Sequence, residues 1–450
     1  MAKKPNLWRL LTGNQGHSGE KARSYLEISV WILFCAALGV YFLSVSLNKL
    51  FYDFATDESQ WIWVSQRYFK ELVKLDFKNS DWNQSFHTFG LNSPKIAQYV
   101  IGTGLFIGGE LDTKFDAMSW DWQKGRDWNW RKDYTPPYRT LVYGRLLMPL
   151  VGVGCLLVFL FVITRILSRF SSAIAALVLA CSPLLIDYSA RAVLDAPAFF
   201  FSLLFIAALV AFKWRQAFQT SLSKIIQYSL IAGLCLGLAI GAKLNNLPLI
   251  GIWLACLAWV SVIDFEPRFR LKSRMLGRYL LAGFAGLIMA LAVFIGSNPY
   301  LYSRSVPEFV DKTKKMLELG ETLQAYRKSA PAQAIWTSKR KLKSIRKFVL
   351  KNNLIRKKAV LYFLLPWGIF FIGYQIVQNF RQRGLLKLDR LVFIAAAALV
   401  IFAANFIWVP LMWSRYFMPF LIPFSVISGF AVEGLFELVR LRPKKIAEGE

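Results

Sequence analysis

Asp57 and Glu58 stand side by side in Thr-Asp-Glu-Ser, just past the end of a long apolar run. Further unusual polar residues follow at wide intervals: Asp187, Arg191 and Asp195 in DYSARAVLDAP, Lys243, Asn245 and Asn246 in GAKLNN, Asn298 in SNPY, and Arg415 in WSRYF. Carboxylates can take a proton from a hydroxyl or hold a divalent cation, and Lys and Arg can bind and stabilise a phosphate leaving group. Each residue alone also has a plain structural reading. A single Lys243 or Arg415 suits a helix end from which it snorkels to the interface. Asp195-Ala196-Pro197 suits the start of a helix with proline at an early position. Only their meeting on one surface would make a site, and that depends on how the chain is threaded.

Of the 450 residues, 56% are hydrophobic and 16% aromatic, above the range usual for soluble domains. Several apolar windows are long enough to cross a hydrocarbon core as helices, and the period-2 alternation of a barrel is missing. The expected fold is therefore an all-α polytopic membrane protein. About ten spans are predicted, near 26–49, 141–163, 170–187, 196–212, 226–242, 246–262, 279–297, 359–377, 391–407 and 417–438. The first run, Tyr25 to Leu50, is longer than a signal-peptide core and reads as a retained helix. The five cysteines all fall in apolar runs, where they pack as small hydrophobes.

An even number of spans puts both termini on one side, and the short connections there are basic, for example Arg165 and Arg169, Lys213 and Arg215, and Arg381, Arg383 and Lys387. By the positive-inside rule that side is cytoplasmic. The chain then divides into a basic cytoplasmic N-terminus (1–25), a membrane core (26–297) with a first outer loop (50–140), a basic outer loop (298–358), C-terminal spans (359–438) and a cytoplasmic tail (439–450). The 298–358 loop is rich in Lys and Arg although it is outside, and its length is where the rule fades. On this map Asp57, Asp195, Lys243, Asn298 and Arg415 all fall at one outer rim. A transporter would more naturally keep its ionisable groups near the bilayer midplane.

Three outer segments complete the picture. PKIAQYVIGTGLFI (94–107) is apolar but short, and suits a juxtamembrane helix. SWDWQKGRDWNWRKDYTPPYR (119–139), which contains Trp122, reads equally as an interfacial aromatic belt or as a stacking wall for substrate. In the basic loop, Trp336, Leu342, Ile345, Val349 and Leu350 recur at helical spacing among cations, as in a helix lying on anionic lipid. A net charge of +28 is thus assigned to lipid headgroups and orientation, and nucleic acid is not an expected partner.

With these residues placed, the chain resembles the polyprenyl-phosphate-dependent C-type glycosyltransferases, which include protein O-mannosyltransferases and lipid A aminoarabinose transferases. The resemblance rests on TDES, on NSPKIAQYVIG, on CSPLLIDYSARAVLDAPAFFFSLL, on GLCLGLAIGAKLNNLPLI and on SRYFMPFLIPF. It implies that Asp57 is the base acting on an acceptor hydroxyl, that Glu58 supports it, and that Asp195 is a second acid near the reaction centre. Arg191, Lys243, Arg415 and Lys95, with Trp122, become substrate-facing groups. The implied reaction is a single inverting displacement at the anomeric carbon of a polyprenyl-phosphate-linked sugar, with a protein, lipid or glycan hydroxyl as acceptor. Where some relatives carry an acidic residue or His before a proline pair, this chain has Asn92-Ser93-Pro94, which removes a ligand for a divalent metal ion and leaves that cofactor open. His87 is near in sequence, though a lone loop histidine is more often a surface residue. The expected location is a bacterial cytoplasmic membrane with the site facing outward. The competing readings are a lipid or sugar transporter or flippase, and an inactive scaffold of the same fold.

Overall fold

The computed structural model describes residues 17–51, 54, 57–83, 93–121, 124, 126–263, 273–318, 334–335, 337–350, 358–409, 411 and 413–446. Among these, β-structure is limited to one isolated bridge between Ala334 and Leu411. Among the described residues the chain begins with α1 (His17–Leu50), followed by α2 (Glu58–Val73), α3 (Ile96–Ile107) and α4 (Arg126–Arg131). It returns through α5 (Tyr138–Arg145) and α6 (Met148–Ile163), then α7 (Arg169–Ala180), α8 (Pro183–Tyr188), α9 (Asp195–Ala211) and α10 (Trp214–Thr220). The helices α11 (Leu222–Ala242), α12 (Leu249–Ile263) and α13 (Ser273–Gly296) lead to the basic loop, with α14 (Val306–Leu317) and α15 (Ser338–Ile345). The last helices are α16 (Lys358–Arg381), α17 (Leu385–Trp408) and α18 (Leu421–Ile446).

Seven helical stretches of the described residues are long and apolar enough to cross a membrane, or eight if α9 and α10, bent by 53°, form one span. The protein is an integral membrane protein of helical type. The 170–187 prediction needs correction: the helix breaks after Ala180, and α8 starts at Pro183. Proline has no N–H and its ring crowds the carbonyl four residues back, so it opens a new helix rather than continuing the old one. At 12 residues α7 is about 18 Å long, short of a ~30 Å hydrocarbon core.

Small residues set the tightest packing. Gly233, Gly237 and Gly241 repeat every fourth residue on α11, which lies along α13. A Cβ at Gly237 would lie 2.6 Å from the Ala290 carbonyl oxygen, and one at Gly241 would lie 2.7 Å from Ile96 of α3. Gly237→Val is therefore expected to separate α11 from α13 and cost about 1–3 kcal/mol, read as a lower thermal unfolding midpoint in lipid nanodiscs.

Polar contacts collect at two ends of the bundle, with an apolar core between them. At one end Arg215 donates to Asp389 through Nε (3.2 Å) and Nη2 (2.9 Å), and Trp259 Nε1 donates to the same carboxylate (3.0 Å). Arg169 pairs with Glu27 and Gln375 with Glu437 at that end. The opposite end holds Lys49 with Asp187, Tyr188 with Ser414, and all the residues of the candidate site.

Candidate active site

Asp57 is the N-cap of α2, yet its carboxylate makes no capping hydrogen bond. An aspartate there ordinarily accepts from the first turn of its own helix. Here it is committed instead to Arg415, whose Nη1 donates to Asp57 Oδ2 across 358 positions of sequence. The Arg415 guanidinium lies 4.5 Å from the Trp413 ring centroid and 5.6 Å from that of Tyr416, on an aromatic platform at the start of the short 3-10 segment Ser414–Phe420, which Trp413 precedes. Tyr188 and Ser414 hydroxyls, 2.7 Å apart, tie that segment to α8.

Asp195 opens α9, and Lys243 Nζ donates to its Oδ1 at 2.5 Å. Lys243 ends α11 in extended backbone and lies 5.7 Å from the Tyr416 ring. Tyr416 thus stands between the two cations, a residue that sequence reasoning passed over although it lies within SRYF. Asp195, Lys243, Asn245, Asn246, Arg415 and Tyr416 line one pocket, together with the apolar Phe199, Ile401, Met418 and Ile422. The structure therefore brings Asp57, Asp195, Lys243 and Arg415 together from four distant segments.

Glu58 has a different place from its neighbour. It is fully buried, accepts from Arg145 Nε (2.7 Å) and Nη2 (2.5 Å), and accepts from the Ala192 N–H (2.8 Å). Arg145 also donates to the Leu50 carbonyl at 2.6 Å. This hub joins the end of α1, the start of α2, α5 and the loop that leads into Asp195. Glu58 thereby ties these segments together, and its partner Arg145 was not singled out in the sequence.

Arg191 packs with its guanidinium 5.8 Å from the Tyr188 ring and does not line the pocket. Lys95 corrects the sequence reading more sharply. Its side chain is wholly buried, with Nζ donating to the Ser93 carbonyl (3.1 Å) and 3.9 Å from the Tyr68 ring, while its N–H donates to Asn298 Oδ1 (3.0 Å). A side chain sealed in this way does not face a substrate. Loss of hydration disfavours the ammonium and holds the Lys95 pKa well below the ordinary 10.5. Between that lowered value and 10.5 the unfolded chain binds the extra proton, so stability rises with pH there and is flat below. Lys95→Met is expected to remove this alkaline rise, measured as the thermal midpoint against pH.

Trp122, Asn92 and His87 lie outside the described residues. Of the aromatic segment around Trp122, Trp120 is buried and Trp128 and Trp130 are exposed. In the basic loop Ile345 is buried and Leu342 is 55% exposed, while Trp336 and the side chains of Val349 and Leu350 are outside the described residues. No three His, Cys, Asp or Glu side chains gather into a metal-holding group among the described residues. Asp57 and Asp195 are each held by a cation, so this donor set does not fit a divalent ion.

Among solved structures, the chain is similar to the archaeal oligosaccharyltransferase AglB from Archaeoglobus fulgidus, in complex with an inhibitory peptide and a dolichol-phosphate. That match has 13% identity and a TM-score of 0.54, and covers 91% of this chain and 51% of that one. It is also similar to ArnT from Cupriavidus metallidurans, in the apo state (15% identity, TM-score 0.51) and bound to undecaprenyl phosphate (14%, 0.50), each covering 90% of this chain and 60% of that one. The chain thus spans about half to three fifths of the length of these proteins, and at such identities the likeness is one of fold. No curated protein matches it. The family model described as dolichyl-phosphate-mannose-protein mannosyltransferase matches residues 66–296, a region holding Asp195 and Lys243 but not Asp57 or Arg415. With that match over just more than half its length, the chain belongs to the dolichyl-phosphate-mannose-protein mannosyltransferase family.

Proposed function

We propose that this protein is a membrane glycosyltransferase that moves a sugar from a polyprenyl-phosphate donor to an acceptor hydroxyl, on the non-cytoplasmic face of a bacterial cytoplasmic membrane. The observation that carries the reading is the convergence of Asp57, Asp195, Lys243 and Arg415 at one end of a helical membrane bundle. Family membership supports the donor class, as does fold likeness to proteins solved with dolichol-phosphate and undecaprenyl phosphate. The outward orientation rests on the basic short connections at the opposite end.

In this mechanism Arg415 and Lys243 hold the donor phosphate, while the apolar wall of the pocket receives the start of the lipid. Asp57 accepts the proton of the acceptor hydroxyl as its oxygen attacks the anomeric carbon. The bond from that carbon to the phosphate oxygen breaks, and its electron pair leaves with the lipid phosphate. Attack opposite the leaving group inverts the anomeric centre. Because a neutralised phosphate leaves well, one base suffices, and Asp195 serves to orient Lys243 and the sugar. Arg191 and Trp122 are assigned to the rim that meets substrate.

Purified protein in nanodiscs, given a panel of radiolabelled polyprenyl-phosphate sugars and a membrane extract, tests this reading. Label is expected to pass from one donor to a non-donor product. No consumption of any donor by folded protein would overturn the assignment.

A further inference from the structure

The geometry points to an ion-pair exchange as the way the donor is bound: its phosphate takes Arg415 from Asp57, so the base is released only once a lipid phosphate is in place. This rests on the glycosyl-transfer reading and goes beyond it, because it fixes an order of events and ties basicity to occupancy.

The two carboxylates that begin α2 are held in opposite ways. Glu58 is sealed at 0% exposure, with both oxygens bonded to Arg145 and one also to a backbone N–H. Such a pair has no route for a competing anion. Asp57 is 19% exposed and Arg415 17%, and their pair is made through one guanidinium nitrogen and one carboxylate oxygen. The guanidinium also packs 4.5 Å from the Trp413 centroid and 5.6 Å from that of Tyr416, contacts that do not depend on the carboxylate. Arginine presents a fork of donors that fits phosphate oxygens in two contacts, better than the single contact it makes here.

Charge gives the exchange its consequence. Asp57, Asp195, Lys243 and Arg415 sum to zero, and each acid is held by one base. A cation beside a carboxylate stabilises its charged form and makes it a poor proton acceptor. When a phosphate takes Arg415, Asp57 loses a cation and gains an anionic neighbour, and both changes raise its proton affinity. The base becomes effective at the moment the sugar is present, and departure of the lipid phosphate restores the resting pair.

The test uses phytanyl phosphate, a saturated polyprenyl monophosphate, titrated calorimetrically into the full chain in zwitterionic nanodiscs. Asp57→Asn is expected to bind it about tenfold more tightly than wild type, since Arg415 no longer has to leave a carboxylate. That gain is expected to vanish in the Arg415→Gln background. A gain of the same size in that background would mean simple removal of a negative charge, and unchanged or weaker binding by Asp57→Asn would mean no competition; either overturns the exchange. If Arg415→Gln binds too weakly to compare, Asp187→Asn serves as the charge control: it removes a negative charge paired with Lys49 and leaves Arg415 untouched. Binding near the wild-type value is expected there, and a tenfold gain would overturn the exchange. Failure of wild type to bind phytanyl phosphate at all would instead remove the donor assignment itself.

Discussion

Asp57→Asn is expected to slow sugar transfer by about 10²- to 10⁴-fold, the usual contribution of a positioned general base, while the protein remains folded. The side chain is partly exposed, its amide replacement is nearly isosteric, and the carboxylate caps no helix N–H, so little stability depends on it. Retained folding and greatly reduced turnover separate a chemical role from a structural one. The check is the initial rate of label transfer alongside the thermal unfolding midpoint. A variant that transfers at the wild-type rate would move the base elsewhere.

The neighbouring position is expected to behave in the reverse way. Glu58→Ala strands the Arg145 guanidinium at 1% exposure and leaves the Ala192 N–H without its carboxylate, and Arg145→Ala strands Glu58. Removing one partner of a buried pair costs about 3–5 kcal/mol, because the charge left behind is uncompensated. Either substitution should therefore lower the unfolding midpoint sharply and reduce the yield of folded protein. The double replacement Glu58→Leu with Arg145→Met should recover much of the stability, since it buries no charge. Transfer should recover less, because the link from α2 to the loop before Asp195 is gone. A stable Glu58→Ala protein would show that the hub does not hold this end of the bundle together.

These two adjacent acids show what the sequence makes legible and what it does not. Apolar runs long enough to span a membrane located the main helices, and placing their ends located Asp57, Asp195, Lys243 and Arg415 on a common rim. That much follows from local composition and from the thickness of a bilayer. The division of labour between Asp57 and Glu58 does not, because it is made by partners 358 and 87 positions away. Arg145 falls inside the span predicted at 141–163, and nothing in its local sequence marks it as the partner of Glu58. Lys95 drew notice for its charge, yet packing of α2 and α3 and the Asn298 turn enclose it, and enclosure is a tertiary property. Pro183 was a visible signal for the break between α7 and α8, outweighed by the apolar run in which it sits. Tyr416 looked like one aromatic among many until the cations on its two sides were placed.

The most direct measurement follows both products at once. Protein reconstituted into sealed vesicles would receive labelled polyprenyl-phosphate sugar and an acceptor extract, with free polyprenyl phosphate and newly formed glycoside quantified together by mass spectrometry. The account expects the two to appear in equal amounts and to depend on Asp57. Labelled donor or sugar that crosses the bilayer with no glycoside formed would contradict it and identify a transporter.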